Sequence, residues 1–134
     1  GGKAFAEMDH DPKKIAAKAR EYEGLIDYVL VDPSGGFGKE FDSVFARECI
    51  DALADAVSHI GLGIAGGLHK DNLFKKLLSL LQVHELSWDA EGKLRTPEDD
   101  LNLVEAQEYL RASSWLYRIM RLASEQEQHY GRQA

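Results

Sequence analysis

Asp32 closes the apolar run "LIDYVL"+"VD" and runs straight into "PSGGFGKEFD", three glycines in four residues. Glycine lets backbone amides come close to a bound group, and successive amides make a concavity suited to an anion such as phosphate. A second glycine pair, Gly66 and Gly67, follows another apolar run, "IGLGIA". The plainer alternatives stay open. Asp32 can bond its own loop, and the glycines can be tight turns.

The residues around these runs say how they are held. "LIDYVLVD" (Leu25 to Asp32) is apolar and β-branched, as in a strand buried on both faces. "IGLGIAGG" (Ile60 to Gly67) and "VHELSW" (Val83 to Trp88) read as further strands, and "KAFAEM" (Lys3 to Met8) as a short first one. Between them lie helical patterns. Asp11 caps a helix with Pro12 in its first position and Ile15, Ala16, Ala19 and Tyr22 on one face; Gly24 ends it. Asp42 or Ser43 opens a helix to Val57, with Phe45, Ile50, Leu53 and Val57 inward. The next runs from about Lys70 to Leu81, with Leu73, Leu77 and Leu80 apolar. The last spans about Leu103 to Ala123, with Trp115, Leu116, Ile119 and Leu122 as its core stripe. "SEQEQHYGRQA" then has no core pattern and is expected to fray.

Strand–helix alternation, four times over, predicts an α/β fold with parallel strands, and in such folds the loops after the strands carry the chemistry. The domain reading is one (βα)4 unit over 1–123 and a tail over 124–134. The chain has 134 residues, 44% hydrophobic and 29% charged, with net charge −7. That charge argues against nucleic acid and anionic membrane as partners. One cysteine, Cys49, gives no disulfide framework and fits a reducing cytoplasm. No run is long enough to span a membrane. Glu7, Asp9, His10 and Asp11 are read as a cap with solvated neighbours rather than a metal site. His59, His69, His84 and His129 are read as surface or helix-end residues. No metal and no cofactor is expected.

"DYVLVDPSGGFGKEFD", "IGLGIAGGLHKDNL" and "HELSWDAEGKLRTPEDD" together resemble the last three strand–loop units of phosphoribosylanthranilate isomerase, a (β/α)8 barrel of tryptophan biosynthesis. The resemblance implies a parallel (βα)4 half-barrel, strands five to eight of a TIM barrel. It implies that Asp32 is the general acid that protonates the sugar ring oxygen. Gly66 and Gly67 would hold the substrate phosphate, Gly35, Gly36 and Gly38 would close over the sugar, and Ser87 would stand at the turn after strand eight. The ligand implied is a phosphorylated sugar.

Two departures accompany it. The family's base is a cysteine on a first strand this chain lacks, and Cys49 falls in a helix. Trp88 and Asp89 stand where a phosphate-facing glycine is expected, and should obstruct and repel the anion. The chain alone is therefore expected to be inactive, a non-catalytic phosphate binder or structural half-barrel being the alternative. Half a barrel leaves an apolar inner face and two sheet edges, so self-association or a missing N-terminal half is expected.

Overall fold

Three parallel strands form one sheet in the order β1 (Tyr28–Val31), β2 (Gly61–Ile64), β3 (Leu86–Trp88). The computed structural model describes residues 2–32 and 42–131 of the chain. Tyr28 pairs with Gly61 and Val31 with Ile64 across the first ladder; Leu62 pairs with Leu86 and Ile64 with Trp88 across the second. Mixed α/β architecture with a parallel sheet thus matches the expectation from alternation.

Side chains alternate across a strand. Val29, Val31, Leu62, Ile64, Leu86 and Trp88 pack into the core, while Tyr28, Leu30 and Ser87 are exposed on the other face. One sheet face therefore carries the helices, and among the described residues the other is open. The buried-on-both-faces reading of "LIDYVLVD" is corrected accordingly.

Helix α2 (Pro12–Arg20) is capped as expected: Asp11 Oδ1 accepts the Lys13 amide at 2.8 Å, and Ile15, Ala16 and Ala19 are buried. Gly24 then takes φ +82. Helix α3 (Ser43–Ala56) is capped by Asp42, which accepts from the Val44 and Phe45 amides. Ala46, Cys49, Ile50 and Leu53 face the core at helical spacing. Helix α4 (Leu73–Leu81) buries Leu73, Leu77 and Leu80, as read. A short 3₁₀ helix (Gly92–Leu94) leads to α5 (Leu103–Gly131).

Two expectations fail here. Lys3 to Met8 is not a strand: Gly2–Glu7 is helix α1. Ala4 and Ala6 favour the helix intrinsically, and one turn buries Phe5 against Phe45 and His10. Asp9 (φ 54) and His10 (φ 52) then reverse the chain, types that tolerate the left-handed region better than most. The second failure is on α5, which continues to Gly131 and buries Tyr109 and Leu116, whereas Trp115 and Leu122 are exposed. The packed stripe is Tyr109, Ala112, Leu116 and Met120, so of the stripe expected Leu116 is buried and Ile119 half-buried, while Trp115 and Leu122 are not part of it.

Candidate functional site

The ladder does not stop at the last paired row. The Ala65 amide donates to Val31 O at 2.8 Å, and the Asp89 amide to Ile64 O at 3.0 Å. Asp32, Ala65 and Asp89 thus leave the three strands at one level. The row one residue back along the strands, facing away from the helices, is Leu30, Gly63 and Ser87. Gly63 is tightly covered: a β-carbon there would lie 2.8 Å from Ser87 Oγ and 2.9 Å from Leu30 Cδ1.

The turn after β2 holds Gly66 at φ +108 and Gly67 at φ +63. Asn72, the buried polar residue at the head of α4, sets its shape. Asn72 Nδ2 donates to Gly67 O at 2.9 Å, and its Oδ1 accepts the His69 amide at 2.9 Å. Among the described residues, the Gly66 and Gly67 amides donate to no protein acceptor. They can take an oxyanion without giving up a bond of the fold.

The charges nearby are mostly engaged. Lys70 Nζ donates to Glu105 at 3.0 Å, tying the turn to α5, and that carboxylate raises the lysine pKa. His69 Nδ1 lies 3.6 Å from Asp71. Arg95 pairs with Glu91 and Asp99.

Trp88 does not stand over the turn as expected. Its indole N–H donates to Ser113 Oγ of α5 at 3.2 Å, so its ring belongs to the core side. The strand alternation that aims Ser87 outward aims Trp88 inward. The steric objection falls; the charge of Asp89 remains. Ser87 lies inside β3 rather than in a turn, with Oγ donating weakly to Leu62 O at 3.4 Å. Gly35, Gly36, Gly38 and Lys39 lie outside the described residues.

Tyr109 was missed in the sequence, where it is one aromatic among several. Its hydroxyl is buried and makes no hydrogen bond of normal geometry. Burial pushes the phenol up to about 12; nearby Ser113 offsets part of that and the Asp89 charge adds to it. Asn72 carried a signal that was overlooked, a helix-initiating residue type five positions after a glycine turn.

His84 is a helix-end residue as read, its amide donating to Leu80 O of α4 at 2.9 Å, but its side chain is not solvated: its Nε2 lies 2.5 Å from Asp51 Oδ1, and Arg47 Nε meets both Asp51 oxygens at 2.8 Å. This cluster sits where the chain enters β3, at the opposite end of the sheet. Asp11 caps α2 and Asp9 pairs with Lys14 at 2.5 Å; among the described residues no three metal-ligating side chains converge. Cys49 is buried in α3 and burial pushes its thiol up to about 11. An open groove of about 690 Å³ runs between α2 and α3, lined by Ala16, Ala17, Ala52 and Ala56, away from the strand ends.

The chain is a mixed α/β protein with a three-stranded parallel sheet, and Asp32, the Gly66-Gly67 turn and Asp89 follow the carboxyl ends of its strands. No protein-family model, no curated protein and no solved structure matches the chain. No described helix is long and apolar enough to cross a membrane.

Proposed function

We propose that the chain is the carboxyl-terminal part of a phosphorylated-sugar isomerase of the phosphoribosylanthranilate isomerase kind. The observation that carries the reading is the Gly66-Gly67 turn. Both residues are in left-handed conformation, both amides are open among the described residues, and Asn72 fixes the turn one strand away from Asp32. A dianionic phosphate held there puts the sugar over the open sheet face, with Asp32 in reach of its ring oxygen. Asp32 acts as the acid in ring opening, and Gly35, Gly36, Gly38 and Ser87 line the sugar. The three strand–helix units then correspond to the last three of a (β/α)8 barrel, in a chain that works in the cytoplasm.

A second reading is favoured by the open sheet face, where Tyr28 and Leu30 are 67% and 51% exposed. It makes the chain a half-barrel whose role is assembly with a second copy or with a separate amino-terminal half.

Titration with reduced carboxyphenylamino-deoxyribulose phosphate, followed by NMR or calorimetry, separates the two. Binding that Gly67→Asp abolishes supports the isomerase reading. A folded chain that binds none of it leaves the glycines as turns and favours assembly.

A further inference from the structure

Helix α5 carries more apolar surface than its core stripe uses. From Tyr109 to Ala123 it has three arginines and no carboxylate, in a chain of 16 basic and 23 acidic residues. Within that basic stretch Leu110, Trp115, Tyr117 and Leu122 are each more than half exposed. Single exposed apolar residues are ordinary, but four large ones along one stretch of helix mark an interaction surface.

The spacing orders this surface. Residues seven apart return to one face of a helix, and residues three or four apart stand side by side. Leu110 and Tyr117 are seven apart and form one apolar rail; Trp115 and Leu122, also seven apart, form another. The helical turn places Arg111, Arg118 and Arg121 between the two rails, opposite the packed stripe of Tyr109, Ala112, Leu116 and Met120. An open hollow of about 320 Å³ lies among Leu110, Arg111, Ser114, Trp115 and Arg118, so the centre of the face is not filled. Phe74 of α4 meets the Trp115 ring at 5.7 Å between centroids and props the second rail. Arg111 pairs with Glu108 and Arg121 with Glu125, all of them well exposed, and Arg118 makes no ion pair among the described residues.

We propose that this face of α5 docks an acidic amphipathic helix of another protein. A row of carboxylates on the partner meets the arginines, and apolar residues on both sides of that row meet the two rails. Charge decides the occupant. A second copy of this chain would set arginines against arginines, with no carboxylate between 109 and 123 to relieve them, and opposed like charges are costly. A lipid surface suits an apolar ridge with cations at its margins, from which they reach the headgroups. Here the cations hold the centre and the apolar residues the margins. On an acidic helix the charges fix the register and the rails supply the desolvated area, with tryptophan and arginine the types that most often dominate such contacts. The face lies on the side of α5 turned away from the sheet, so the inference stands apart from the isomerase reading.

The probe is a synthetic helical peptide with one row of glutamates and leucines on both sides of it. Beside it stand a copy with lysines for the glutamates and a copy of the same composition in scrambled order. Binding to the full 134-residue chain is read by anisotropy of the labelled peptide and by amide shifts of the isotope-labelled chain. The acidic peptide should bind at least about tenfold more tightly than either copy and shift amides between Leu110 and Leu122. Arg111→Glu and Arg118→Glu, both at exposed positions, should each weaken it by about tenfold. The double variant should take the lysine peptide in its place. Absence of binding by the folded chain, equal binding of the scrambled peptide, or undiminished binding by the double variant overturns the proposal. So does adhesion to phosphatidylserine vesicles without peptide binding, which assigns the face to a membrane. A dimer in sedimentation that Trp115→Ala dissolves overturns it too, and assigns the face to a second copy.

Discussion

Asn72 and Gly67 are joined by a 2.9 Å hydrogen bond from the asparagine amide to the glycine carbonyl, while the other end of the same side chain receives the His69 amide. One buried side chain therefore closes the turn from both sides. In Asn72→Leu, a carbonyl and an amide lose their partners together. The expected cost is about 2–4 kcal/mol, read as a lower urea midpoint at unchanged slope. Amide exchange at His69 should accelerate in the same variant. An unchanged midpoint would mean that the turn does not depend on this clamp.

Gly67 holds φ +63, where a side chain costs about 1–2 kcal/mol. Gly67→Ala should lose that amount in urea unfolding. Gly92 gives the control. It has no positive φ and nothing within 4 Å of an added β-carbon, so Gly92→Ala should leave the midpoint where it is. Equal effects at the two sites would contradict the assigned conformations.

Asp51 carries the acid sensitivity of the far end of the sheet. Its partial burial alone would raise the carboxyl, but the contacts with His84 and Arg47 outweigh that and lower it below the ordinary range. A carboxyl depressed in the folded state adds stability above its unfolded pKa and loses it as pH falls through the folded one. Stability should therefore drop below about pH 4, and Asp51→Asn should flatten that part of the profile. The carboxylate is 46% exposed, so solvent and salt weaken the effect, and raising the salt concentration should shrink it further.

Cys49 is fully buried and its thiol is pushed up to about 11. A raised thiol pKa contributes stability that is present below the unfolded value of about 8.5 and is lost as pH rises through the folded one. In the native protein at neutral pH the thiol should not react with a disulfide reagent, and labelling should follow global unfolding in urea. Rapid labelling without denaturant would show that α3 opens locally.

The Tyr109 hydroxyl is desolvated without a bond in return. Tyr109→Phe removes an unsatisfied group and keeps the ring, so thermal stability should be unchanged or higher. A loss above about 1 kcal/mol would mean that the hydroxyl has a structural partner in solution.

Strand-forming runs were legible from Leu25, Ile60 and Val83 onward because β-branched and apolar residues cluster there. The helices at Ser43 and Leu73 were legible because their buried residues recur at helical spacing. Lys3 to Met8 misled because two alanines and one phenylalanine satisfy either period, and only the contact of Phe5 with Phe45 decides between them. The site was legible as loops and not as directions. Trp88 looked like a lid, since a sequence does not state which residue of a strand faces inward. Its bond to Ser113 turns it into the core. His84 and Asp51 are far apart in the chain, and nothing in their local spacing announces the pair.

The sheet joins Tyr28 to Gly61 and Leu62 to Leu86, each pair separated by a whole helix. No strand has its partner near it in the chain, so each pairing must first close a long loop at an entropic cost. Folding should accordingly be limited by collapse of α3 and α4 onto their strands, and slow beside a helical bundle of equal length. Until β2 docks between its neighbours, Asp32 and Asp89 have no common level, and the two ends of the candidate site come into existence in the same kinetic step.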